Sequence, residues 1–177
     1  MIFEKTDLKG AFVIEIEKRE DDRGFFARAW CKNEFEAHGL NPHLVQANIA
    51  FSKKKGTLRG MHYQVAPFKE AKLVRCITGK VFDVIIDLRP DSPTYKDWFG
   101  IELTGSDYRM LYVPEDFAHG YQTLENNTEV FYQVSQFYSP DAERGVRWDD
   151  PAFGIMWPEI DSPVISEKDK TWPDYSP

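Results

Sequence analysis

The sequence predicts an all-β protein, a sandwich or barrel of short strands, and three observations carry that expectation. Hydrophobicity repeats with a period of two, not 3.6. The repeating segments are short and rich in β-branched and aromatic side chains. Turn signals stand between them: Lys55-Gly56, Thr78-Gly79, the run Arg89-Pro90-Asp91-Ser92-Pro93, and Thr104-Gly105-Ser106-Asp107.

In chain order, AFVIEIE (11–17) and FFARAW (25–30) are the first strand-like segments. One helix is expected next, with Asn33 as N-cap, Glu34 to His38 as its turns and Gly39 as its stop. In VQANIAFS (45–52), Val45, Ala47, Ile49 and Phe51 alternate with Gln46, Asn48, Ala50 and Ser52, the pattern of a half-buried strand. TLRGMHYQ (57–64), KLVRCIT (72–78), VFDVIIDL (81–88), WFGIEL (98–103), RMLYV (109–113) and TEVFYQVSQFY (128–138) continue the series. After Pro151 the tail is rich in Pro and Trp and reads as extended chain with short turns. No repeat, low-complexity tract or linker interrupts the 177 residues, so one domain over 1–177 is expected.

Composition narrows the function. With 42% hydrophobic residues and no run near the ~20 apolar residues of a spanning helix, a membrane role is not expected. A net charge of -7 argues against nucleic acid or an anionic membrane as partner, but not against a small anionic ligand. Local basic residues are present: the Lys53, Lys54, Lys55 triplet reads as a solvated turn, while Arg59, Lys72 and Arg75 follow on strands. The start, MIFEKTDLKG, lacks the basic and apolar regions of a signal peptide. The two cysteines, Cys31 and Cys76, are too few for a disulfide framework and read as buried small hydrophobes, which points to the cytoplasm.

Polar residues on strands mark candidate sites, because burying them costs free energy unless they are paired. Alternation puts Asp83 and Asp87 on the face of Val81 and Ile85, a face that is either solvated or functional. Arg59 and His62 lie three apart in TLRGMHYQ, and Gly60 between them is placed to form a bulge that turns both toward one cavity.

The strings DDRGFFARAW, QANIAFSKKKGTLRGMHYQ, KLVRCITGKVFDVIIDLR, SPTYKDWFGIEL, YVPEDFAHGYQTL, FYSPDAERGVRWDDP and SEKD, in this order, resemble the dTDP-4-dehydrorhamnose 3,5-epimerase family. The resemblance implies a cupin-like double-stranded β-helix (a jelly roll) with a few short helices, assembled as a homodimer. It implies an isomerase, without metal or other cofactor, acting at C3 and C5 of a nucleotide-linked 4-keto-6-deoxyhexose in dTDP-rhamnose and surface-polysaccharide biosynthesis. A ketone at C4 acidifies both neighbouring C–H bonds, so a base, an acid on the opposite face and a cation for the enolate oxygen suffice.

Carried over to this chain, the resemblance makes His62 the base, Asp169 its carboxylate partner, Tyr132 the acid and Lys72 the cation near O4. His119 and Asp83 match a supporting pair, Arg59 a diphosphate contact, and Gln46, Asn48 and Tyr138 pocket residues. Arg23 and Phe26 match the nucleotide end, completed there by the neighbouring subunit. Taken singly, His62 also reads as a hydrogen-bonded structural histidine, Tyr132 as a strand aromatic, Lys72 as a solvated charge and Asp169 as a tail charge.

Two positions depart from the family strings: Arg28 replaces the Glu of RGFF-x-E, and Ala47 replaces the Asp of Q-D-N. Arg28 is donor-only and cannot accept the N3–H of thymine, so a weakened preference for dTDP, with CDP as rival, is expected. Other readings stay open. One is a single-centre epimerase. Another is a metal cupin using His62 and His119, although Gln64 stands where such a motif needs its second His. The last is a non-catalytic sugar-nucleotide-binding module.

Overall fold

The computed structural model describes residues 1–159 and 162–176; of the tail, Ile160, Asp161 and Pro177 lie outside them. Two six-stranded sheets face each other in a jelly roll. The first runs β1 (Ile2–Lys5), β2 (Phe12–Glu15), β10 (Met110–Val113), β7 (Lys72–Thr78), β12 (Thr128–Val134) and β5 (Gln46–Ser52). The second runs β13 (Glu143–Gly145), β6 (Thr57–Gln64), β11 (Phe117–Thr123), β8 (Lys80–Asp87) and β9 (Trp98–Thr104), with β14 (Val164–Ile165) added parallel to β6. A separate ribbon pairs β3 (Arg19–Asp21) with β4 (Gly24–Phe26). Two short helices complete the set, α1 (Lys32–Ala37) and α2 (Glu167–Lys170). Among the described residues no helix is long and apolar enough to cross a membrane.

Three apolar layers hold these elements. Val13, Val74, Leu111 and Val130 of the first sheet meet Val81, Ile85, Leu103 and Phe117 of the second. The outer face of the first sheet packs under Phe35 of α1 and Leu40, and the outer face of the second under Val146 and Phe153. Strand β8 is therefore buried on both sides. Asp83 and Asp87 lie on an interior face, fully buried, and not on a solvated one. Asp87 survives there by accepting bonds from Arg89 (2.8 and 2.7 Å), Ser92 (2.5 Å) and Thr94 (2.7 Å).

Strand β5 alternates as its sequence requires, but its polar set, Gln46, Asn48 and Ser52, turns inward. Ile49 and Phe51 are 64% and 48% exposed on the outer face of an edge strand. Strand β11, absent from the sequence expectation, is buried at all seven positions, so it shows no alternation to detect. Conversely, FFARAW forms strand only at its start, in β4, and TEVFYQVSQFY pairs only as far as Val134.

The expected start of the helix needs correction. Helix α1 begins after Cys31, which makes no side-chain cap, and not after Asn33; His38 closes it and Gly39 follows at φ +71°. Burial of Phe35 under the first sheet fixes this register over the better cap. Within the tail, Ser166 Oγ accepts the Asp169 N–H at 3.1 Å and starts the single turn of α2.

The bulge at Gly60 is present. His119 of β11 faces His62 and Tyr121 faces Arg59, so three steps on β6 match two on β11. The extra residue brings Arg59 and His62, at odd spacing, to one face. Gly60 sits at φ +139°, and a Cβ there would lie 2.5 Å from the Gly120 Cα. Gly60→Ala is expected to destabilise the protein by about 2–4 kcal/mol, a fall in Tm of roughly 5–15 °C by calorimetry. A variant melting with the wild type would mean that the bulge does not need glycine.

Candidate active site

The facing sheets enclose a cleft of two lobes, about 520 and 290 Å³, that share His62, Lys72 and Tyr132. The second sheet contributes His62, Arg59 and His119 as one wall. Lys72 and Tyr132, neighbours on β7 and β12, stand on the first sheet with Gln46 and Asn48 of β5. The tail closes the cleft with Ser166, Lys168 and Asp169.

Two histidine–carboxylate pairs lie side by side, because His62 and His119 are cross-strand partners. His62 Nε2 is 2.6 Å from Asp169 Oδ1, and His119 Nε2 is 2.9 and 3.1 Å from the two oxygens of Asp83. A carboxylate only accepts, so each Nε2 carries the proton and donates it. In the neutral ring, Nδ1 of His62 is left with its lone pair.

Asp169 is 5% exposed and is no loose tail charge. Burial pushes its carboxyl up, but the bonds and charge of His62, with help from the Gly60 N–H and Ser166, hold it below the usual carboxylate range. Lys72 is likewise buried and not solvated, its ammonium 2.6 Å from Glu70. The Tyr132 phenol is pushed up, chiefly by burial and then by Glu70, so it carries its proton at neutral pH. Arg59 spends one donor on Ser52 Oγ (3.3 Å) and one on the Phe51 carbonyl (3.2 Å); these are two of the guanidinium's five.

A family model described as dTDP-4-dehydrorhamnose 3,5-epimerase matches residues 5–176. The chain belongs to the dTDP-4-dehydrorhamnose 3,5-epimerase family. A dTDP-4-dehydrorhamnose 3,5-epimerase of Sinorhizobium fredii is 41% identical, with 98% of this chain and 89% of that protein aligned. The crystal structure of the Elizabethkingia anophelis enzyme of that name superposes with a TM-score of 0.96 at 38% identity, covering 99% of this chain and 96% of that one. A Legionella pneumophila dTDP-6-deoxy-D-glucose-3,5-epimerase, solved in complex with dTDP-4-keto-L-rhamnose, gives a TM-score of 0.88 at 34% identity, covering 95% and 89%.

Of the residues that the family strings single out, the cleft gathers His62, Asp169, Tyr132, Lys72, Arg59, His119, Gln46, Asn48 and Tyr138; Asp83 stands behind His119. It does not gather Arg23, Phe26 or Arg28. Arg23 pairs with Asp21 on the β3–β4 ribbon, and Phe26 is 73% exposed there. Arg28 sits in a separate groove with its guanidinium 3.0 Å from Glu34, whose carboxyl is pulled down to about 2 by the N-terminal amine and by Arg28.

The sequence reading missed Glu70, and also Glu143 and Lys168, an ion pair at 2.5 Å on the rim. The Tyr138 hydroxyl donates to the same Glu143 carboxylate at 2.7 Å. Charged residues on a short strand and a tail look like solvated surface, so nothing local marked them.

The depressed carboxyl of Asp169 has a signed consequence. Its folded-state pKa lies below the ordinary 3.8, so between the two values the unfolded chain binds more protons. Its stabilisation is complete above about pH 5 and is lost as pH falls through the folded value. In Asp169→Asn, Tm measured against pH should fall less steeply on acidification than in the wild type, and the gap between the two proteins should close. Parallel curves would contradict the pairing.

Proposed function

We propose that this protein epimerises a nucleoside-diphosphate-linked 4-keto-6-deoxyhexose at C3 and C5, converting dTDP-4-dehydro-6-deoxyglucose to dTDP-4-dehydro-L-rhamnose, as one cytoplasmic domain. The observation that carries this reading is the division of His62 and Tyr132 between opposite walls of one cleft, with Lys72 shared by both lobes. In the reaction, His62 Nδ1 removes the proton from carbon, and the electron pair moves into the C4 carbonyl as an enolate. The Lys72 ammonium, already desolvated and oriented by Glu70, stabilises the oxygen's charge. Tyr132 returns a proton from the other face, which inverts the centre. His62 then releases its proton to solvent and the phenolate regains one. Only protons move, so the route requires no hydride carrier. Asp169 fixes the tautomer and orientation of the His62 ring.

The experiment is incubation with dTDP-4-dehydro-6-deoxyglucose in heavy water, followed by NMR of deuterium at C3 and C5, with the CDP-linked sugar in parallel. Arg28 is held by Glu34, whose oxygens supply the acceptor that Arg28 lacks, and this favours the dTDP sugar. His62→Asn should lower exchange and inversion by about 10²–10⁴-fold. Tyr132→Phe should keep exchange while net inversion fails. Deuterium at one carbon only would assign a single-centre epimerase; undiminished exchange in His62→Asn would remove it as the base.

The same reading includes a homodimer. The apolar outer face of edge strand β5, with Val45, Ile49 and Phe51 all exposed, supports it, as does the distance of Arg23 and Phe26 from their own cleft. Sedimentation at micromolar concentration should give a dimer, and Ile49→Glu should shift it toward monomer with weaker dTDP binding. A wild-type monomer with full activity would refute the assembly.

A further inference from the structure

Asp169 must be held against His62 by a tail that leaves the barrel and returns, and one contact of that tail has a matching gap in the sheet. On the β6–β13 pair, His62 stands directly opposite Gly145. Side chains in that relation stand about 4.5–5.5 Å apart at Cβ, and Gly145 has none to offer. The vacant place is filled by Trp172: a Cβ on Gly145 would lie 2.3 Å from its Cε2 and 2.4 Å from its Nε1. Gly145 has no positive φ, so space and not backbone conformation demands glycine there. The Trp172 ring then meets the His62 imidazole edge-on, with centroids 6.5 Å apart.

Trp172 is three residues beyond Asp169, just past the end of α2. Its indole N–H is buried without a partner, so shape and apolar contact, not a hydrogen bond, set its seat. On α2 itself the half-exposed Lys168 ammonium meets Glu143 of β13 at 2.5 Å, a solvent-screened tie worth little; the others lie at the two ends of the tail. β14 pairs with β6 before α2, and Asp174–Arg147 (2.8 Å) and Tyr175 N to Asp150 (2.6 Å) follow after it. Trp172 is the first apolar anchor beyond the carboxylate, and it is not among the residues lining the cleft.

We infer that Trp172, seated in the empty side-chain place of Gly145, is a positioning residue that holds Asp169 in register with His62. This rests on the reading of His62 and Asp169 as base and partner. A shift on the order of 1 Å in such a pair is enough for about a 10²-fold loss. Trp172→Ala should therefore lower kcat on the order of 10²-fold with KM nearly unchanged, since the ring does not touch substrate.

The test compares Trp172→Ala, Trp172→Phe, Gly145→Ala, Asp169→Asn and the double variants. The acid limb of the pH–rate profile should move in Trp172→Ala in the same direction as in Asp169→Asn. Adding Trp172→Ala to Asp169→Asn should cost little more, and Trp172→Phe should recover most of the rate. Gly145→Ala should impair the enzyme by expelling the ring, and Trp172→Ala should relieve part of that loss, because the new methyl then has room. Multiplicative losses with Asp169→Asn, or a lowered Tm with kcat and the acid limb unmoved, would overturn the inference. Amide hydrogen exchange over residues 164–171 needs no turnover and separates this from failure of the proposed reaction. It should quicken in Trp172→Ala and Gly145→Ala, and unchanged exchange there would also overturn the inference.

Discussion

The structure turns on one carboxylate taken out of water. Burying the Asp169 anion carries a large desolvation penalty unless donors replace the lost solvent. The donors come from β6: His62 Nε2 at 2.6 Å and the Gly60 N–H at 3.4 Å. That N–H is turned toward the tail at the bulge, where Gly60 lies at φ +139°. The bulge in turn needs the close approach of Gly60 to Gly120, and that fixes how β6 and β11 pack. The tail must come back across the sheet, adding β14 to β6, capping α2 with Ser166 and covering the second sheet with Phe153 and its neighbours. Remove the carboxylate and these features lose their common purpose.

The same logic governs the rest of the cleft. Lys72 with Glu70 and His119 with Asp83 are, like His62 with Asp169, paired before any ligand arrives. A cleft built this way does not have to reorganise when charge develops on a substrate oxygen, which is where enzymes gain most. The pairs also explain how so polar a cleft sits between two apolar sheet faces without unfolding them. Within these three pairs the charge is compensated locally, and the Val and Leu residues of the inter-sheet layer pack around them.

What the sequence disclosed follows from what is local. The Arg59–Gly60–His62 spacing exposed the bulge because two functional residues at odd separation cannot share a strand face without one. Alternation on β8 and β5 correctly grouped the residues on each face. It could not say which face is covered, since that depends on a partner layer far away in sequence. On β8 both faces are covered, by the first sheet and by the tail. On β5 the apolar face is outermost in the chain. FAHGYQT escaped notice as a strand because complete burial erases the period on which detection depends. The family strings located the His62–Asp169 pair, whereas its physical cause, a return of the tail across 107 residues, has no local signature.

The arrangement of the walls bears on stereochemistry. A base and an acid on the same sheet would address the same face of a sugar ring and return the proton where it came from. Here β6 carries the imidazole and β12 the phenol, on different sheets whose inner faces look at each other. A ring lying between them presents one face to each. Inversion is then the geometric consequence of reprotonation. In the proposed reaction, retention would require the His62 proton to return before Tyr132 acts. Two centres flanking one carbonyl are related by a small shift of the ring about its C4 oxygen. The group that holds this oxygen must therefore be reachable from both positions. Lys72 borders both lobes of the cleft, as do His62 and Tyr132. In the proposed reaction a single fixed cation, with a base and an acid facing each other across the cleft, is thus sufficient for both inversions, without a second catalytic set.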